Sequence, residues 1–305
     1  MDLTIETEQV IGGYGTTLVL REVSLQVPRG SLYGFLGPNG AGKTTLMRML
    51  LGLLPAVSGA IRLFGRPVEE ALPGELRRVG SLIEQPSLYD HLTGAENLEI
   101  ARRLKGLGGA DVARMVDAFE MGRYLKQRVK EYSRGMRQRL GVAIALLGEP
   151  ELLILDEPMN GLDAGGLGAF RRLLEEAHGR GATILLSSHQ LEAVEQVATH
   201  VGIMNNIGDL LFQGTRAELA ERMPRELVVK VDRTQDALRA LSGSFAVKAV
   251  GDKLVVQGAT EEVAREVNRV LVQEGIGVHH LAIELATLEA LFVRITSTVK
   301  AWDSR

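Results

Sequence analysis

A chain of 305 residues exceeds the usual span of one domain, and 45% hydrophobic with 24% charged residues describes an ordinary folded protein that can bury a large core. A formal charge of −3 gives no overall basic field for a nucleic-acid partner, and the lack of cysteine excludes a disulfide framework, a thiolate metal site and a cysteine nucleophile. No apolar run approaches the ~20 residues that cross a bilayer, and Met1-Asp2-Leu3-Thr4-Ile5-Glu6 has neither a basic start nor a signal-peptide run, so any membrane role is expected to run through a partner.

Residues 18–20 and 23–27 read as antiparallel strands, with Pro28-Arg29-Gly30 turning into a short buried strand over 31–36. Ahead of them, Gly12-Gly13-Tyr14-Gly15 places one aromatic in a flexible loop. Tyr14 suits stacking on a nucleotide base, and it equally suits plain packing at a strand edge. The strand at 31–36 runs into Gly37-Pro38-Asn39-Gly40-Ala41-Gly42-Lys43-Thr44-Thr45, which meets every fixed position of G-x-x-x-x-G-K-[ST], and a helix follows over 46–51. Glycines let the backbone curl until successive N–H groups point inward; the helix N-terminus adds partial positive charge and Lys43 a full one. That is a socket for a polyphosphate. Thr44 then offers a hydroxyl to Mg²⁺, which prefers hard oxygen ligands shared with phosphates.

Further strands are expected at 60–64 and 79–83, the second running into Glu84-Gln85-Pro86. From His91 the pattern turns helical. Thr93-Gly94-Ala95-Glu96 is a capping box opening a helix toward Lys105, and a second helix runs from Asp111 through Phe119. Tyr132-Ser133-Arg134-Gly135-Met136 then leads a helix whose Met136, Leu140, Ile144 and Leu147 share one face until Glu149-Pro150. Ser133 and Gly135 at that helix start suit an anion, although serine as a bare N-cap is the commoner use. Residues 91–150 thus form a helical insert between two strand-rich parts.

The apolar run 152–155 ends in Asp156-Glu157, adjacent carboxylates after a buried strand. In P-loop enzymes the acid at that strand end completes the Mg²⁺ site, which puts Asp156 beside Thr44, with Glu157 close enough to orient or deprotonate a water. Asn160-Gly161-Leu162-Asp163 reads as a tight turn with Asp163 facing a partner. A strand over 182–186 leads to Ser187-Ser188-His189, and His189 falls on the carboxyl edge where α/β sheets bind ligands. Strands at 201–204 and 210–213 and a helix over 215–223 close this first domain, 1–224.

Past Pro224 the order is strand 227–231, helix 235–241, strands 245–250 and 254–257, helix 260–273, strand 278–285. This β-α-β-β-α-β order predicts a small ferredoxin-like α+β module over 225–305, for contacts or regulation. A short helix is expected at 288–295.

In this order the motifs resemble the ATP-binding subunit of an ATP-binding cassette (ABC) transporter, from Tyr14 to Gly214. The resemblance implies an α/β P-loop ATPase cassette, a mixed sheet with antiparallel strands plus the helical insert, binding ATP and Mg²⁺. It further implies a dimer with a second copy or related cassette, in which ATP lies between the phosphate loop of one and the Ser133 to Met136 signature of the other. Tyr14 then resembles the base-stacking aromatic, Glu157 the catalytic carboxylate, Asp163 the cross-dimer acid and His189 the switch histidine. The signature departs from the common Leu-Ser-Gly-Gly-Gln, keeping only Ser133 and Gly135. The family's Q-loop glutamine, a metal and water contact, aligns with Glu84; alternatively Gln85, one place later, does that work.

Glu84, Ser187-Ser188-His189-Gln190-Leu191 and Thr199-His200-Val201-Gly202-Ile203 together resemble the bacterial branch that exports peptide antibiotics such as lantibiotics and bacitracin. The expected function is an ATPase powering a separate membrane permease, peripheral at the cytoplasmic face of the membrane. Two alternatives are a soluble cassette ATPase acting on ribosomes or nucleic acid, and an ATP-binding switch with little hydrolysis.

Overall fold

The structure is a computed structural model that describes residues 2–71, 74–188, 197–222 and 225–285. The chain separates into two compact units, Met1–Arg216 and Ala217–Arg305.

The first unit is built on two sheets. The larger has six strands in the order β11-β10-β4-β9-β8-β7: β4 (Leu32–Leu36), β7 (Val79–Leu82), β8 (Leu152–Asp156), β9 (Thr183–Ser188), β10 (His200–Met204) and β11 (Leu210–Thr215). All pairings are parallel except β10 with β11. Every residue of β4, β8 and β9 is buried, as expected for central strands covered on both faces, where side chains of both parities must be apolar or internally paired. That burial is why these strands read as unbroken apolar runs rather than as alternations.

The smaller sheet is antiparallel and has five strands. Its centre is β1 (Leu3–Tyr14), which pairs with β2 (Thr17–Val23), β3 (Gln26–Pro28) and β5 (Ser58–Leu63), while the short β6 (Arg66–Pro67) pairs with β5. Here two expectations are corrected. The sequence Thr4-Ile5-Glu6-Thr7-Glu8 carries too few apolar residues to announce a strand, yet β1 forms because Thr4, Ile5, Thr7 and Val10 are buried against the core. Tyr14 therefore stands at the end of a strand, not within a flexible loop. The segment 23–27 is two strands instead of one: Glu22 adopts a left-handed backbone (φ 50°), the chain breaks at Ser24-Leu25, and β2 and β3 each pair with β1 rather than with each other.

Helix α1 (Lys43–Leu50) follows β4 and buries Leu46, Met47, Met49 and Leu50 in the core shared with both sheets. After the one-turn α2 (Val68–Ala71), α3 (Gly94–Lys105), α4 (Gly109–Ala118) and α5 (Arg134–Leu146) make the helical insert. The capping box is formed as expected: Thr93 Oγ1 accepts from the Glu96 N–H at 3.2 Å, and Glu96 accepts from the Thr93 N–H at 2.7 Å. Gly106 ends α3 in the left-handed conformation. A helix the sequence pattern had not announced, α6 (Ala164–Gly179), follows Asp163; three glycines in its first turns hide an apolar face of Ala169, Phe170, Leu173, Leu174 and Ala177.

Helix α7 (Arg216–Arg222) starts at the last residue of the first unit, and the second unit continues in the expected β-α-β-β-α-β order. Strands β12 (Arg225–Val231), β13 (Val247–Val250), β14 (Lys253–Gln257) and β15 (Val278–Leu285) form an antiparallel sheet in the order β13-β14-β12-β15. Helices α8 (Thr234–Ser242) and α9 (Glu261–Gln273) cover one face, where Leu227, Val229, Leu241, Leu254, Val256, Val267 and Leu271 make a core of their own. This is the ferredoxin-like arrangement. The helix expected at 288–295 lies outside the described residues. Among the described residues no helix is long and apolar enough to cross a membrane.

Candidate functional site

The loop between β4 and α1 holds its shape through backbone conformations that side chains resist. Gly42 has φ 96°, a conformation that residues with a Cβ rarely adopt, and a Cβ there would come 2.5 Å from Leu20 Cδ2, so the position before Lys43 favours glycine. Gly37, Pro38, Asn39, Gly40 and Ala41 carry the chain round to that point, and Thr45 continues α1 inward, buried. Lys43 is buried, its Nζ donating to the carbonyls of Gly37 at 2.6 Å and Pro38 at 3.0 Å. Burial pulls its pKa below the ordinary lysine value, while the nearby charges of Glu157 and Asp156 oppose that shift.

Strand order brings the acids to this loop. Because β9 lies between β4 and β8, the carboxyl ends of all three strands share one edge. Thr44, the first turn of α1, donates its hydroxyl to Asp156 Oδ2 at 2.6 Å. The other oxygen, Oδ1, accepts the Ser187 hydroxyl at 2.5 Å, and Ser187 Oγ accepts the Glu157 N–H at 2.9 Å. Asp156 and Ser187 are buried. Glu157 is held with φ 47°, a conformation rare for a non-glycine residue, as the chain turns sharply off the strand end. Asn160 Nδ2 lies 3.5 Å from Glu157 Oε2. Ser187 was missed as a site residue from sequence; its only signal was its position at a strand end next in line to the acid pair.

One cleft is lined by Tyr14, Val19, the loop from Asn39 to Thr45, Asp156 and Glu157. A second shares Thr44, Asp156 and Glu157 and extends to Glu84, Gln85, Arg134, Gln138 and Asn160. Both Q-loop candidates therefore line the cleft beside the acids. Glu84, with φ 56°, pairs through Oε2 with Arg48 Nη2 at 2.9 Å. The same guanidinium donates to the Tyr14 hydroxyl at 2.7 Å and lies 5.7 Å from that ring's centroid. The hydrogen bond to Tyr14, with the Glu84 and Asp156 charges behind it, favours the charged guanidinium. Arg48 is a second residue that sequence reasoning passed over, because a charged side chain in an amphipathic helix reads as solvated surface.

Ser133 caps α5, its Oγ accepting from the Met136 N–H at 3.2 Å. Gly135 lies so close to the Gly161 carbonyl that a Cβ would meet it at 2.9 Å. The signature stretch and the Asn160 to Asp163 turn are thus neighbours within one chain. Asp163 is the N-cap of α6, accepting from the Gly166 N–H at 2.9 Å, and pairs with Arg139, whose guanidinium holds the carboxyl below the usual carboxylate range. Its side chain is engaged inside this chain, whatever it faces beyond it. His189 lies outside the described residues.

The donor set fits a magnesium nucleotide. A curled glycine backbone and a buried cation at a helix N-terminus answer polyphosphate charge, and the Thr44 hydroxyl touching a carboxylate is the hard-oxygen pairing that Mg²⁺ takes together with phosphate oxygens.

Residues 20–160 match the family described as ABC transporter. Over 299 residues the chain is 36% identical to the bacitracin transport ATP-binding protein BcrA of Enterococcus faecalis, covering 97% of each. It is 40% identical over 191 residues to the lantibiotic transport ATP-binding protein SrtF of Streptococcus pyogenes, covering 63% of this chain and 82% of that one. Among solved structures, an ATP binding subunit of an ABC transporter superposes with TM-score 0.66 at 32% identity, covering 72% of this chain and 92% of its own. The ATP-binding cassette MJ0796, in a dimeric post-hydrolysis state bound to ADP and Pi, shares the fold at TM-score 0.61 and 20% identity, covering 69% of this chain and 98% of that one.

Proposed function

The chain belongs to the ATP-binding subunits of ABC transporters, and from that membership we propose how its own residues bind and hydrolyse ATP and what the hydrolysis drives. The observation that carries the assignment is the Thr44–Asp156–Ser187 chain of hydrogen bonds, 2.6 and 2.5 Å, set against the phosphate loop.

In this reading, the backbone N–H groups from Gly40 to Thr45 and the Lys43 ammonium hold the β- and γ-phosphates of ATP. Thr44 and Asp156, with Glu84, would hold Mg²⁺, which supplies charge neutralisation on the phosphate oxygens. Ser187 fixes the Asp156 carboxylate by occupying Oδ1, leaving the Oδ2 side toward Thr44, and fixes the Glu157 backbone through its N–H. Glu157 Oε accepts a proton from the attacking water, and the water's oxygen forms the new bond to the γ-phosphorus as the bond to the ADP oxygen breaks. Tyr14 stacks on the base. Ser133 and Gly135 close on the phosphates of ATP bound to a second copy, and His189 contacts the terminal phosphate. Binding brings two copies together and hydrolysis releases them, which moves a separate permease that holds the subunit at the inner face of the membrane. The unit from Ala217 on, which shares none of the site residues, serves as an accessory module for contacts or regulation.

Full-length similarity to BcrA supports a peptide antibiotic as the exported cargo. Two measurements test the assignment. Purified Glu157→Gln is expected to keep ATP binding while its turnover falls ~10²–10⁴-fold, the usual worth of a general base; undiminished turnover would remove Glu157 from that role. Co-expression with its permease in a sensitive host is expected to raise resistance to bacitracin or a lantibiotic. Unchanged susceptibility with an active ATPase would leave the motor and discard the cargo.

A further inference from the structure

Arg48 lies one helical turn along α1 from Thr44, on the face that carries the hydroxyl paired with Asp156. Its guanidinium is divided between two residues from different elements. One arm, Nη1, donates to the Tyr14 hydroxyl at 2.7 Å at the end of β1; the other, Nη2, meets Glu84 Oε2 at 2.9 Å just past β7. A planar guanidinium fixes both arms at once, so where one partner sits constrains the other. A divalent cation that takes Glu84 as a ligand must draw that carboxylate off a neighbouring positive charge, since Mg²⁺ tolerates little departure from its oxygen shell.

We propose that Arg48 is a positioning residue that competes with Mg²⁺ for the Glu84 carboxylate, and that its second arm, on the Tyr14 hydroxyl, ties this competition to the aromatic at the base end of the cleft. The proposal rests on the assignment of Glu84 to the Mg²⁺ site made above. Glu84 is held in a left-handed backbone conformation, and its side chain is 55% exposed while that of Arg48 is 30% exposed. A half-exposed ion pair of this kind changes an equilibrium by about fivefold at most. It sets the magnesium concentration at which Glu84 changes partners without preventing the change. The Tyr14 hydroxyl acquires a function distinct from its ring: the ring stacks, and the hydroxyl steadies the competitor.

The test is calorimetric titration of MgCl2 into the full-length protein saturated with a non-hydrolysable ATP analogue, which reads metal binding without turnover. Arg48→Met is expected to lower the half-saturating Mg²⁺ two- to fivefold, and Tyr14→Phe to lower it by a smaller factor although the aromatic face is intact. Arg48→Lys keeps a positive charge beside Glu84 but loses the second arm; it is expected to lower the half-saturating Mg²⁺ by the same smaller factor as Tyr14→Phe, and Tyr14→Phe is expected to add nothing to it. In a Glu84→Gln background Arg48→Met is expected to change nothing. If Glu84→Gln weakens Mg²⁺ binding while Arg48→Met leaves it unmoved, or if Arg48→Met acts equally in both backgrounds, the competition is overturned. If Glu84→Gln itself leaves Mg²⁺ binding unaltered, the assignment of Glu84 fails, and this inference with it.

Discussion

The Ser187 hydroxyl donates to Asp156 at 2.5 Å and, with the same oxygen, accepts the backbone N–H of Glu157 at 2.9 Å. A single buried side chain on β9 therefore orients both acids at the end of β8, the one expected to hold the metal and the one expected to take the proton.

Ser187→Ala leaves Asp156 Oδ1 and the Glu157 N–H without this partner in a buried setting, which costs about 1–3 kcal/mol of stability. Turnover is expected to fall on the order of tenfold while nucleotide binding changes little, because the phosphate loop is untouched. Urea denaturation together with steady-state ATPase kinetics checks both parts, and a variant with normal turnover would show that Glu157 is oriented without Ser187.

Lys43 is buried among loop carbonyls and its charged form is disfavoured by that burial. Lys43→Met is expected to lower ATP affinity by about a hundredfold or more, since a charge-assisted contact to phosphate disappears, yet to leave the urea midpoint equal to or above that of the wild type. A large loss of stability would instead assign the lysine a structural role.

Lys105 donates to the Leu147 carbonyl at 2.8 Å, and burial pushes its ammonium down to about 8. With the folded-state pKa below the unfolded value of 10.5, the unfolded chain binds more protons between these limits, so this residue's contribution to stability rises as pH rises from about 8 toward 10.5. Lys105→Met is expected to remove that rise. The comparison is of unfolding free energy for the two proteins at pH 7 and pH 10, where the gap in favour of the variant should narrow; a gap independent of pH would contradict it.

Asp163 caps α6 through the Gly166 N–H and pairs with Arg139. Asp163→Ala is expected to cost about 1 kcal/mol through the lost cap, and Asp163→Asn, which can still accept from Gly166, less. ATPase loss in Asp163→Asn at unchanged stability would reveal a function for the charge beyond the helix start.

Much of the first unit was legible because its central strands are buried on both faces. Burial of that kind forces continuous apolar runs such as residues 152–155, and the strict backbone demands of the phosphate loop leave glycines at fixed places. β1 was not legible: its inward positions include Thr4 and Thr7, whose hydroxyls find partners in Thr183 and the Val23 carbonyl, so polar residues occupy core positions without signalling it. Helix α6 was hidden by Gly165, Gly166 and Gly168, poor helix formers that the cap at Asp163 and the buried Phe170 and Leu174 outweigh.

By itself the sequence determined the chemistry on offer: a glycine loop ending in Lys43-Thr44, an acid pair at a strand end, a capped helical insert and a β-α-β-β-α-β module. These are local properties, written in backbone tolerance and hydrophobic period. Beyond the neighbourhood of Asp156 and Thr44, which the motifs already implied, only the tertiary structure decided the partnerships, that Ser187 holds the other Asp156 oxygen and that Arg48 joins Tyr14 to Glu84. The reason is that sheet order, not chain order, sets which strand ends meet, and a hydrogen bond spanning more than a hundred residues leaves no periodic trace along the chain that makes it.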